Sequence, residues 1–360
     1  MSKISKLTLI VDGNWLLMSR LSVLINRYKD LSELCTELKL LMIKSIKLVL
    51  RTFPDIDNIV FVSDGGSWRK HIDISNIEDV LRKMIDGDLV GYKETRVYDT
   101  DEIDWEVVFE EFNSFMEAFE NVGITTCREH YIEGDDWCWY WSRLLNARGT
   151  NVIIWTKDND LKQLVNTDSN GCFTVWWNKE NGLFKRKTDE SEMNWFFNNE
   201  YSNNEIILNN IMKKSVKTTD IDPYITVVEK IFMGDASDNV IPLCMRHAKN
   251  PGSKKKFRIS RKDLDLDIDI TNEQDVKNYI SNIFDMRSYN DRLINNDLNI
   301  EMQHFDFNKK MVWLDESVYP QEILDTMNKY DIMNVSCDFV QIEEALQSKQ
   351  NNIDDLLESI

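Results

Sequence analysis

Residues that build soft-metal centres, disulfide frameworks and flexible linkers are scarce in this sequence. Its six cysteines form no Cys-x-x-Cys pair and its four histidines are scattered, so a zinc site is not expected. Only 12 glycines and 5 prolines occur in 360 residues, which argues against long flexible linkers. No apolar run has membrane-spanning length and no signal peptide is evident, so we expect no membrane association and a reducing, cytoplasmic location.

Acidic residues exceed basic ones, and the excess lies toward the C-terminal end. The net charge is -19, but residues 263–360 hold 22 acidic against 7 basic residues, which leaves 40 against 36 in residues 1–262. Nucleic-acid phosphates are bound mainly by Lys and Arg. If eight candidate metal-binding carboxylates are set aside, the first part has 32 acidic against 36 basic residues, so the rest of its surface can still attract phosphate. The acidic last part is expected to face solvent or a protein.

One stretch, residues 246–262, is strongly basic and contains no acidic residue. We expect it to contact duplex phosphates without sequence specificity. The candidate contacts are Arg246, Lys249, Lys254, Lys255, Lys256, Arg258, Arg261 and Lys262.

Three apolar runs rich in β-branched residues each end in an aspartate. They cover residues 7–12, 59–64 and 152–158 and end in Asp12, Asp64 and Asp158. Runs that are apolar on both faces predict buried parallel strands of an open α/β sheet. Because the carboxyl ends of such strands lie along one edge, the three aspartates are expected to converge there. Each aspartate alone can also be explained as a helix cap or a turn former.

Helical spacing of apolar residues follows the first run over residues 15–50 and the third over 161–165, and it recurs over 137–145 and 225–232. Residues 189–210 are polar and rich in Asn, which predicts a loop or a sub-domain boundary.

Further carboxylates occur in short groups, one of them in the first turn of a predicted helix. These acids are Glu133, Asp135 and Asp136, just before the helix predicted over 137–145. Acidic residues in the first turn complement the helix dipole, which accounts for one or two acids but not for three in four residues. The candidate metal ligands are Asp12, Asp64, Glu133, Asp135, Asp158, Asp160, Asp235 and Asp238, with Asp136 as an extra.

Carboxylates gathered in one pocket require protons or hard cations. Two like charges about 4 Å apart repel by roughly 4 kcal/mol at an effective dielectric near 20. Oxygen ligands favour Mg²⁺ or Mn²⁺ over Ca²⁺ when water completes the coordination. Two Mg²⁺ ions, which Mn²⁺ can replace, suit phosphodiester hydrolysis, because one generates hydroxide and the other stabilises the leaving oxygen.

Five short motifs share an order along residues 5–245. They are Val11-Asp12-Gly13-Asn14, Ser63-Asp64 with Trp68-Arg69-Lys70, Glu133-Gly134-Asp135-Asp136, Thr156-Lys157-Asp158-Asn159-Asp160-Leu161 and Gly234-Asp235-Ala236-Ser237-Asp238-Asn239. In this order they resemble the flap-endonuclease and polymerase-associated 5′ nuclease superfamily. The Glu-Gly-Asp-Asp form and the segment Trp313-Leu314-Asp315, followed by Tyr319-Pro320, look most like the replicative RNase H (5′ to 3′ exonuclease) group of T-even-type bacteriophages.

The resemblance implies an α/β fold. A PIN-like 5′ nuclease domain would contain a central, mostly parallel sheet flanked by helices, and it would carry an arch insertion and a helical DNA-binding C-terminal region. The implied boundaries are 1–200 for the catalytic domain, with the arch or clamp at about 65–110, then 201–345 for the helical duplex-binding region and 346–360 for an acidic tail.

The resemblance also implies residue roles. Five carboxylates would surround the first metal, namely Asp12, Asp64, Glu133, Asp135 and Asp158, and three would lie nearer the second, namely Asp160, Asp235 and Asp238. In the arch region, Lys93 and Arg96 match a Tyr-Lys-x-x-Arg spacing and would meet the scissile phosphate, with Arg69 and Lys70 as further nucleic-acid contacts. A solvated basic helix face is the alternative for this region.

The implied function is that of a magnesium-dependent 5′ nuclease, acting as an exonuclease or flap endonuclease on DNA and RNA·DNA duplexes with 5′ ends or flaps, including RNase H-like primer removal. A monomer is expected, in the host cytoplasm if phage-encoded, with a single-strand-binding protein or sliding clamp as hypothetical partners. Residues 240–247 lack the family's Gly-x-Gly hairpin, so a potassium site is not expected. A PIN-type endoribonuclease and a catalytically silent module binding branched DNA are the alternatives.

Overall fold

The chain folds into two compact units, each built from separate pieces of sequence. The computed structural model describes residues 6–85, 89, 91–94, 103–121, 123–169, 171–187, 202–250, 253–286 and 289–332. Unit 1 comprises Met1–Ser67, Tyr98–Ile221 and Gln321–Ile360, and unit 2 comprises Trp68–Val97 and Asp222–Pro320. The boundaries predicted at residues 200 and 345 stay a prediction, and the predicted tail lies outside the described residues.

Unit 1 is organised around an eight-stranded, mostly parallel sheet. Its strands are β1 (Lys6–Asp12), β2 (Asn58–Val62), β3 (Thr125–Cys127), β4 (Thr150–Trp155), β5 (Asn166–Thr167), β6 (Phe173–Asn178), β7 (Gly182–Arg186) and β8 (Thr218–Ile221). The order is β3-β2-β1-β4-β6-β7-β8, and β5 pairs with β6. Only the β5–β6 and β6–β7 pairs are antiparallel. The three predicted strands are confirmed, and they lie side by side because β1 pairs in parallel with both β2 and β4.

Ten α-helices occur in the described part of the chain. They are α1 (Gly13–Leu24), α2 (Leu31–Thr52), α3 (Glu78–Ile85), α4 (Trp105–Asn121), α5 (Gly134–Ala147), α6 (Ser202–Lys214), α7 (Pro223–Met233), α8 (Glu273–Asp285), α9 (Leu298–Val312) and α10 (Gln321–Asn328). The helices predicted over 137–145 and 225–232 are confirmed by α5 and α7. None of the described helices has the length and apolar character needed to cross a membrane.

Three predicted elements differ from the structure. The single helix expected over 15–50 is two helices, because the Asp30 side chain accepts a hydrogen bond from the Glu33 backbone N at 2.9 Å and caps a new start. The helix expected over 161–165 is a 3-10 helix, Asp160–Leu164. Of the loop expected over 189–210, residues 202–210 lie in α6 and the preceding residues lie outside the described part.

Aromatic packing between the sheet and a helix stabilises unit 1. Phe61 of β2 is fully buried and its ring lies 6.1, 6.0 and 5.4 Å from the rings of Phe112, Phe115 and Phe119 on α4. These centroid distances are favourable for ring pairs. The packing fixes the strand that leads directly to Asp64.

Unit 2 is helical around its own core. Phe232 of α7 is fully buried, with its ring 5.2 Å from the Tyr279 ring of α8 and 5.7 Å from the Phe305 ring of α9. A short antiparallel hairpin of β9 (Arg246–His247) and β10 (Lys256–Phe257) lies within the basic stretch, whose last residues continue into a 3-10 helix, Arg261–Asp263. We call residues 246–262 the basic hairpin.

Candidate active site

Asp12 lies where β1 ends and α1 begins. Its Oδ1 accepts a hydrogen bond from the Trp15 backbone N at 2.9 Å, and its Oδ2 accepts one from Thr156 Oγ1 at 2.6 Å. The residue is only 8% exposed. Burial is the main cause that raises the pKa of Asp12 to about 7; its two hydrogen bonds oppose the rise, and the neighbouring carboxylates of Asp158 and Asp64 add to it. A cation beside Asp12 would therefore favour its ionised form.

Asp64 lies two residues after β2 and is held by main-chain and side-chain donors. Its Oδ1 accepts a hydrogen bond from the Gly134 backbone N at 2.6 Å, and its Oδ2 accepts one from Asn14 Nδ2 at 2.7 Å. Asn14 Oδ1 accepts hydrogen bonds from Ser63 Oγ at 2.7 Å and from the Asp64 backbone N at 3.1 Å. The Asn14 amide thus links the ends of β1 and β2 and orients the carboxylate.

The loop that carries Asp64 is paired with the segment before α5. The Gly65 backbone N donates to Ile132 O at 2.8 Å, and the Tyr131 backbone N donates to Gly65 O at 3.1 Å. Arg128 Nε donates to Asp64 O at 3.1 Å. A Cβ atom at Gly65 would lie 1.8 Å from Glu129 O, so only glycine fits this close approach. The pairing places the Asp64 loop beside the start of α5.

The start of α5 carries three predicted ligands in different environments. Glu133 is the N-cap residue, is 5% exposed, and its Oε2 accepts a hydrogen bond from Ser67 Oγ at 2.8 Å. Asp136 is fully buried, and its Oδ2 accepts a hydrogen bond from the Glu133 backbone N at 3.1 Å. That capping contact gives Asp136 a structural role. Asp135, in the first turn, is half-buried.

Asp158 and Asp160 follow β4 in a tight loop. The Asp158 backbone N donates to Thr156 Oγ1 at 2.9 Å, and the Asp160 backbone N donates to Asp158 Oδ1 at 2.8 Å. Trp176 Nε1 donates to Asp158 O at 2.7 Å. Thr156 therefore connects the main chain of Asp158 to the carboxylate of Asp12.

Strand pairing and hydrogen bonds bring four of these carboxylates to one edge of the sheet. Asp12 pairs with Val62, two residues before Asp64, and Thr156 bonds both to the Asp12 carboxylate and to the Asp158 main chain. The Gly134 backbone N, next to Asp135, donates to the Asp64 carboxylate. Burial raises the pKa of the Cys138 thiol on α5 well above its usual value, and the charges of these four carboxylates add to the rise. Their predicted role as metal ligands stays a prediction.

In unit 2, Asp235 and Asp238 lie in the turn after α7. Asp235 and Val240 form an antiparallel bridge, and Gly234 adopts a φ of 68°, where a Cβ would lie 2.4 Å from Val240 O. Lys230 Nζ lies 2.6 Å from Asp235 Oδ2. Burial raises the pKa of Asp235, but hydrogen bonds from Lys230 and Ser237 outweigh it and leave the pKa below its usual value. Asp238 is 7% exposed.

Lys93 is held against this same turn. Its backbone N donates to Asp238 O at 3.4 Å, and its Nζ lies 4.0 Å from Asp238 Oδ2. Asn239 Nδ2 donates to Gly91 O at 2.8 Å, which fixes the adjacent main chain. The predicted basic residue and the second acidic motif are therefore neighbours, although 145 residues separate Lys93 from Asp238. Arg96 lies outside the described residues.

Side chains of α9 bond to the main chain on both sides of the Asp235–Asp238 turn and in residues 240–247, which contain no Gly-x-Gly sequence. Asn308 is fully buried, and its Nδ2 donates to Ile231 O at 2.9 Å and to Ile241 O at 2.8 Å. Glu301 is also fully buried; it accepts a hydrogen bond from the Cys244 backbone N and one from Asn295 Nδ2 at 2.8 Å. Buried main-chain groups of this segment are satisfied by side chains. The predicted absence of a potassium site stays a prediction.

The predicted nucleic-acid contacts differ in exposure. The exposed ones are Lys70, Lys249, Lys254, Lys255, Arg258, Arg261 and Lys262. Lys256 is half-buried and its Nζ donates to Lys83 O, while Arg261 pairs with Glu229. Arg246 is half-buried, and its guanidinium lies 3.9 Å from the Tyr289 ring centroid, so it packs on an aromatic ring.

Arg69 is buried against other side chains, whereas a residue that contacts phosphate is expected to be exposed. It is 3% exposed, its guanidinium lies 4.7 Å from the Trp68 ring centroid, and its Nε donates to Lys310 O at 3.3 Å. Arg69 is therefore not part of the proposed phosphate-binding surface.

Comparison with known proteins identifies the fold. No protein-family model and no curated protein matches the sequence. The structure of bacteriophage T5 5′-exonuclease with bound divalent metal ions (zinc) matches with a TM-score of 0.52 and 16% identity, covering 92% of this chain and 100% of that chain. The bacteriophage T5 flap endonuclease, in a pseudo-enzyme-product complex with DNA and metal ions, matches with a TM-score of 0.51 and 16% identity, covering 91% and 98%. The chain therefore has the α/β fold of a phage 5′ nuclease, which confirms the predicted fold class.

Proposed function

We propose that this protein is a divalent-metal-dependent 5′ nuclease that hydrolyses phosphodiester bonds in DNA and RNA·DNA duplexes with 5′ ends or flaps, including primers at sites of replication. The observation that carries the proposal is the position of Asp12, Asp64, Asp135 and Asp158 at one sheet edge, where strand pairing and hydrogen bonds from Thr156, Asn14 and Gly134 hold the loops that carry them. The same fold occurs in T5 5′-exonuclease, which binds divalent metal ions. The predicted monomeric state and accessory partners stay predictions.

The chemistry of the donor groups fits hard cations. Each carboxylate oxygen of Asp12 accepts one hydrogen bond, and a carboxylate oxygen has a second lone pair that can bind a metal. The Cys138 thiol, whose pKa is raised, stays protonated and is a poor ligand. An oxygen-only set at which water completes the coordination favours Mg²⁺, with Mn²⁺ as a substitute.

The chain's own residues position the reacting groups. Bound Mg²⁺ would supply hydroxide from water and stabilise the leaving oxygen. Asn14 and the Gly134 backbone N fix the Asp64 carboxylate, and Thr156 fixes Asp12. Glu133 and Asp135 are proposed as further ligands of the first ion. The assignment of Asp160, Asp235 and Asp238 to a second ion rests on the sequence resemblance.

Substrate binding is proposed to use fixed positive charge. The basic hairpin presents several exposed Lys and Arg side chains, which suits contact with duplex phosphates. Lys93, and by sequence Arg96, are proposed to meet the scissile phosphate, where negative charge builds in the transition state. A PIN-type endoribonuclease needs only about four acids and has no evident use for the basic hairpin, so we favour the 5′ nuclease.

Cleavage of a 5′-labelled substrate panel tests the proposal. The panel contains flap, nicked, blunt, RNA·DNA and single-stranded RNA substrates, each with Mg²⁺ or with chelator. We expect metal-dependent cleavage near the 5′ end or flap junction. Asp158→Asn should abolish cleavage and retain substrate binding, which would place the defect in chemistry. Asp285→Asn, at an exposed position at the end of α8, is the control.

Two results would contradict the proposal. Preferential cleavage of single-stranded RNA would favour the endoribonuclease. Binding of branched DNA without cleavage under any divalent metal would favour the silent module.

A further inference from the structure

We propose that Tyr131, together with the His130 ring beside it, forms an aromatic platform that stacks on the unpaired nucleobase next to the scissile phosphate. The proposal rests on the nuclease function proposed above and adds a substrate contact to it. We call the two side chains the aromatic platform.

The backbone of Tyr131 is in a conformation that residues with a side chain rarely adopt. Its φ is +67°, in the left-handed region, where residues with a Cβ atom are disfavoured. Hydrogen bonds hold it there: the Tyr131 backbone N donates to Gly65 O at 3.1 Å, and the Ile132 backbone N donates to Glu129 O at 3.1 Å. Strain of this kind persists where the surrounding structure imposes it, and it clusters at ligand-binding sites.

Core packing does not account for this aromatic residue. Tyr131 is 42% exposed, and His130 is exposed as well. Their ring centroids lie 3.8 Å apart, with 42° between the ring planes. A glycine would satisfy the backbone at this position without strain. The exposed, fixed ring therefore indicates a role for the side chain.

The aromatic platform lies at the edge where the carboxylates converge. Tyr131 precedes Glu133 by two residues and is bonded through its main chain to Gly65, the residue after Asp64. The π-face of a base stacks on an aromatic ring regardless of base identity. Bases inside a duplex are already stacked, so the platform suits an unpaired nucleotide of a flap or a frayed 5′ end.

Fluorescence of 2-aminopurine tests the contact without requiring cleavage. A flap substrate with 2-aminopurine as its first unpaired nucleotide is titrated with protein in chelator. We expect a change in emission for the wild type and for Tyr131→Phe, and a much smaller one for Tyr131→Ala, which retains only the His130 ring. Removing this stacking interaction should weaken flap binding by roughly 5- to 100-fold and leave blunt-duplex binding unchanged. An identical emission change for Tyr131→Ala and wild type would overturn the proposal.

Tyr131→Gly separates the contact from the fold. This variant relieves the left-handed strain, so its melting temperature should equal or exceed that of the wild type. It should nevertheless raise KM for flap substrates, and an abasic nucleotide at the same position should remove the difference between variant and wild type. Wild-type KM and kcat in Tyr131→Gly would overturn the platform and leave the nuclease proposal intact. Absence of metal-dependent cleavage by the wild type would instead overturn the nuclease proposal.

Discussion

Asn14 forms hydrogen bonds with both the side chain and the main chain of Asp64. Its Nδ2 donates to Asp64 Oδ2 at 2.7 Å, while its Oδ1 accepts from the Asp64 backbone N at 3.1 Å. A side-chain amide is suited to this arrangement because it carries a donor and an acceptor on one planar group. Both of these atoms are hydrogen-bonded to Asp64, so we expect Asn14 to contribute by orienting a proposed ligand.

Asn14→Ala should therefore reduce catalysis more than stability. Loss of a group that orients a metal ligand typically costs 10- to 100-fold in metal affinity or activity. We expect a fall of that order in kcat with little change in duplex binding, measured by single-turnover cleavage at several Mg²⁺ concentrations. Asn14→Asp keeps the size but places a like charge beside Asp64, so its loss should be larger. Wild-type metal affinity in Asn14→Ala would contradict this role.

Asp12→Asn should change how the stability of metal-free protein depends on pH. The folded-state pKa of Asp12 is raised from 3.8 to about 7, so between these values the folded protein retains a proton that the unfolded chain has released. The contribution of this group to stability is therefore present at low pH and is lost as the pH rises toward 7. Asparagine cannot ionise, so the variant should gain stability relative to wild type.

Thermal unfolding in chelator at pH 4.5, 6 and 8 measures this effect. The gain should be small at pH 4.5 and reach at most about 4 kcal/mol at pH 8. Added Mg²⁺ should reverse the order at pH 8, because the wild type gains a ligand for the ion and the variant does not. A difference that is constant with pH would show that Asp12 titrates normally.

Gly65→Ala should damage the fold and the site together. Its Cβ would lie 1.8 Å from the main-chain oxygen of Glu129, and main chain cannot turn aside as a flexible side chain can. We expect destabilisation of about 1–3 kcal/mol, as for other overpacked positions, and loss of cleavage because the Asp64 loop is displaced. Denaturant unfolding and cleavage assays measure both. Adding Glu129→Ala to Gly65→Ala should not restore stability, because the clashing atom is the main-chain oxygen of residue 129, which alanine also carries.

Neutralising the exposed lysines of the basic hairpin should flatten the salt dependence of binding. Removing one lysine–phosphate interaction lowers the slope of log K against log salt concentration by about 0.9 for duplex DNA. Lys254→Gln with Lys255→Gln should therefore lower the slope by about 2, measured by fluorescence anisotropy in chelator. Lys217→Gln, an exposed position in unit 1, is the control. An unchanged slope would show that the duplex is bound by another surface.

Lys93→Met should lower kcat and leave binding of the duplex portion intact. Methionine keeps the length and removes the charge proposed to stabilise the transition state, for which losses of about 10²–10³-fold are typical. Lys93→Arg should retain part of the activity. Equal kcat in Lys93→Met and wild type would favour the alternative of a solvated basic surface.

The parallel strands and the clustering of their carboxylates were predictable from the sequence, because apolar runs and topology determine both. Asp64 and Asp158 nevertheless lie two and three residues beyond their strands, since β2 and β4 end at Val62 and Trp155. The hydrogen bonds by which Asn14 and Thr156 hold the carboxylates were not predictable from the spacing of residues in the sequence. Asn14 and Thr156 appear in the motifs that carry the family resemblance, but only coordinates show that they bond to residues 50 and 144 positions away.

Two further residues show where residue type misleads. Asp136 and Arg69 have the charges expected of a metal ligand and a phosphate contact. The structure buries both, with Asp136 closing a helix cap and Arg69 packed on Trp68. Burial depends on the tertiary neighbours of a side chain, which a single sequence does not contain. Arg128, whose Nε donates a hydrogen bond to Asp64 O, belongs to none of the five sequence motifs.

The hydrogen bond between Thr156 and Asp12 spans 144 residues, and unit 1 takes its last piece from Gln321 onward. Contacts this distant in sequence form late, because long loops must close first. During synthesis the Thr156–Asp12 hydrogen bond can form only after residue 156 has left the ribosome, and unit 1 receives its last piece only near the end of translation. A truncated chain that ends before Gln321 would therefore lack part of the unit that carries Asp12 and Asp158, even though both aspartates are present in it.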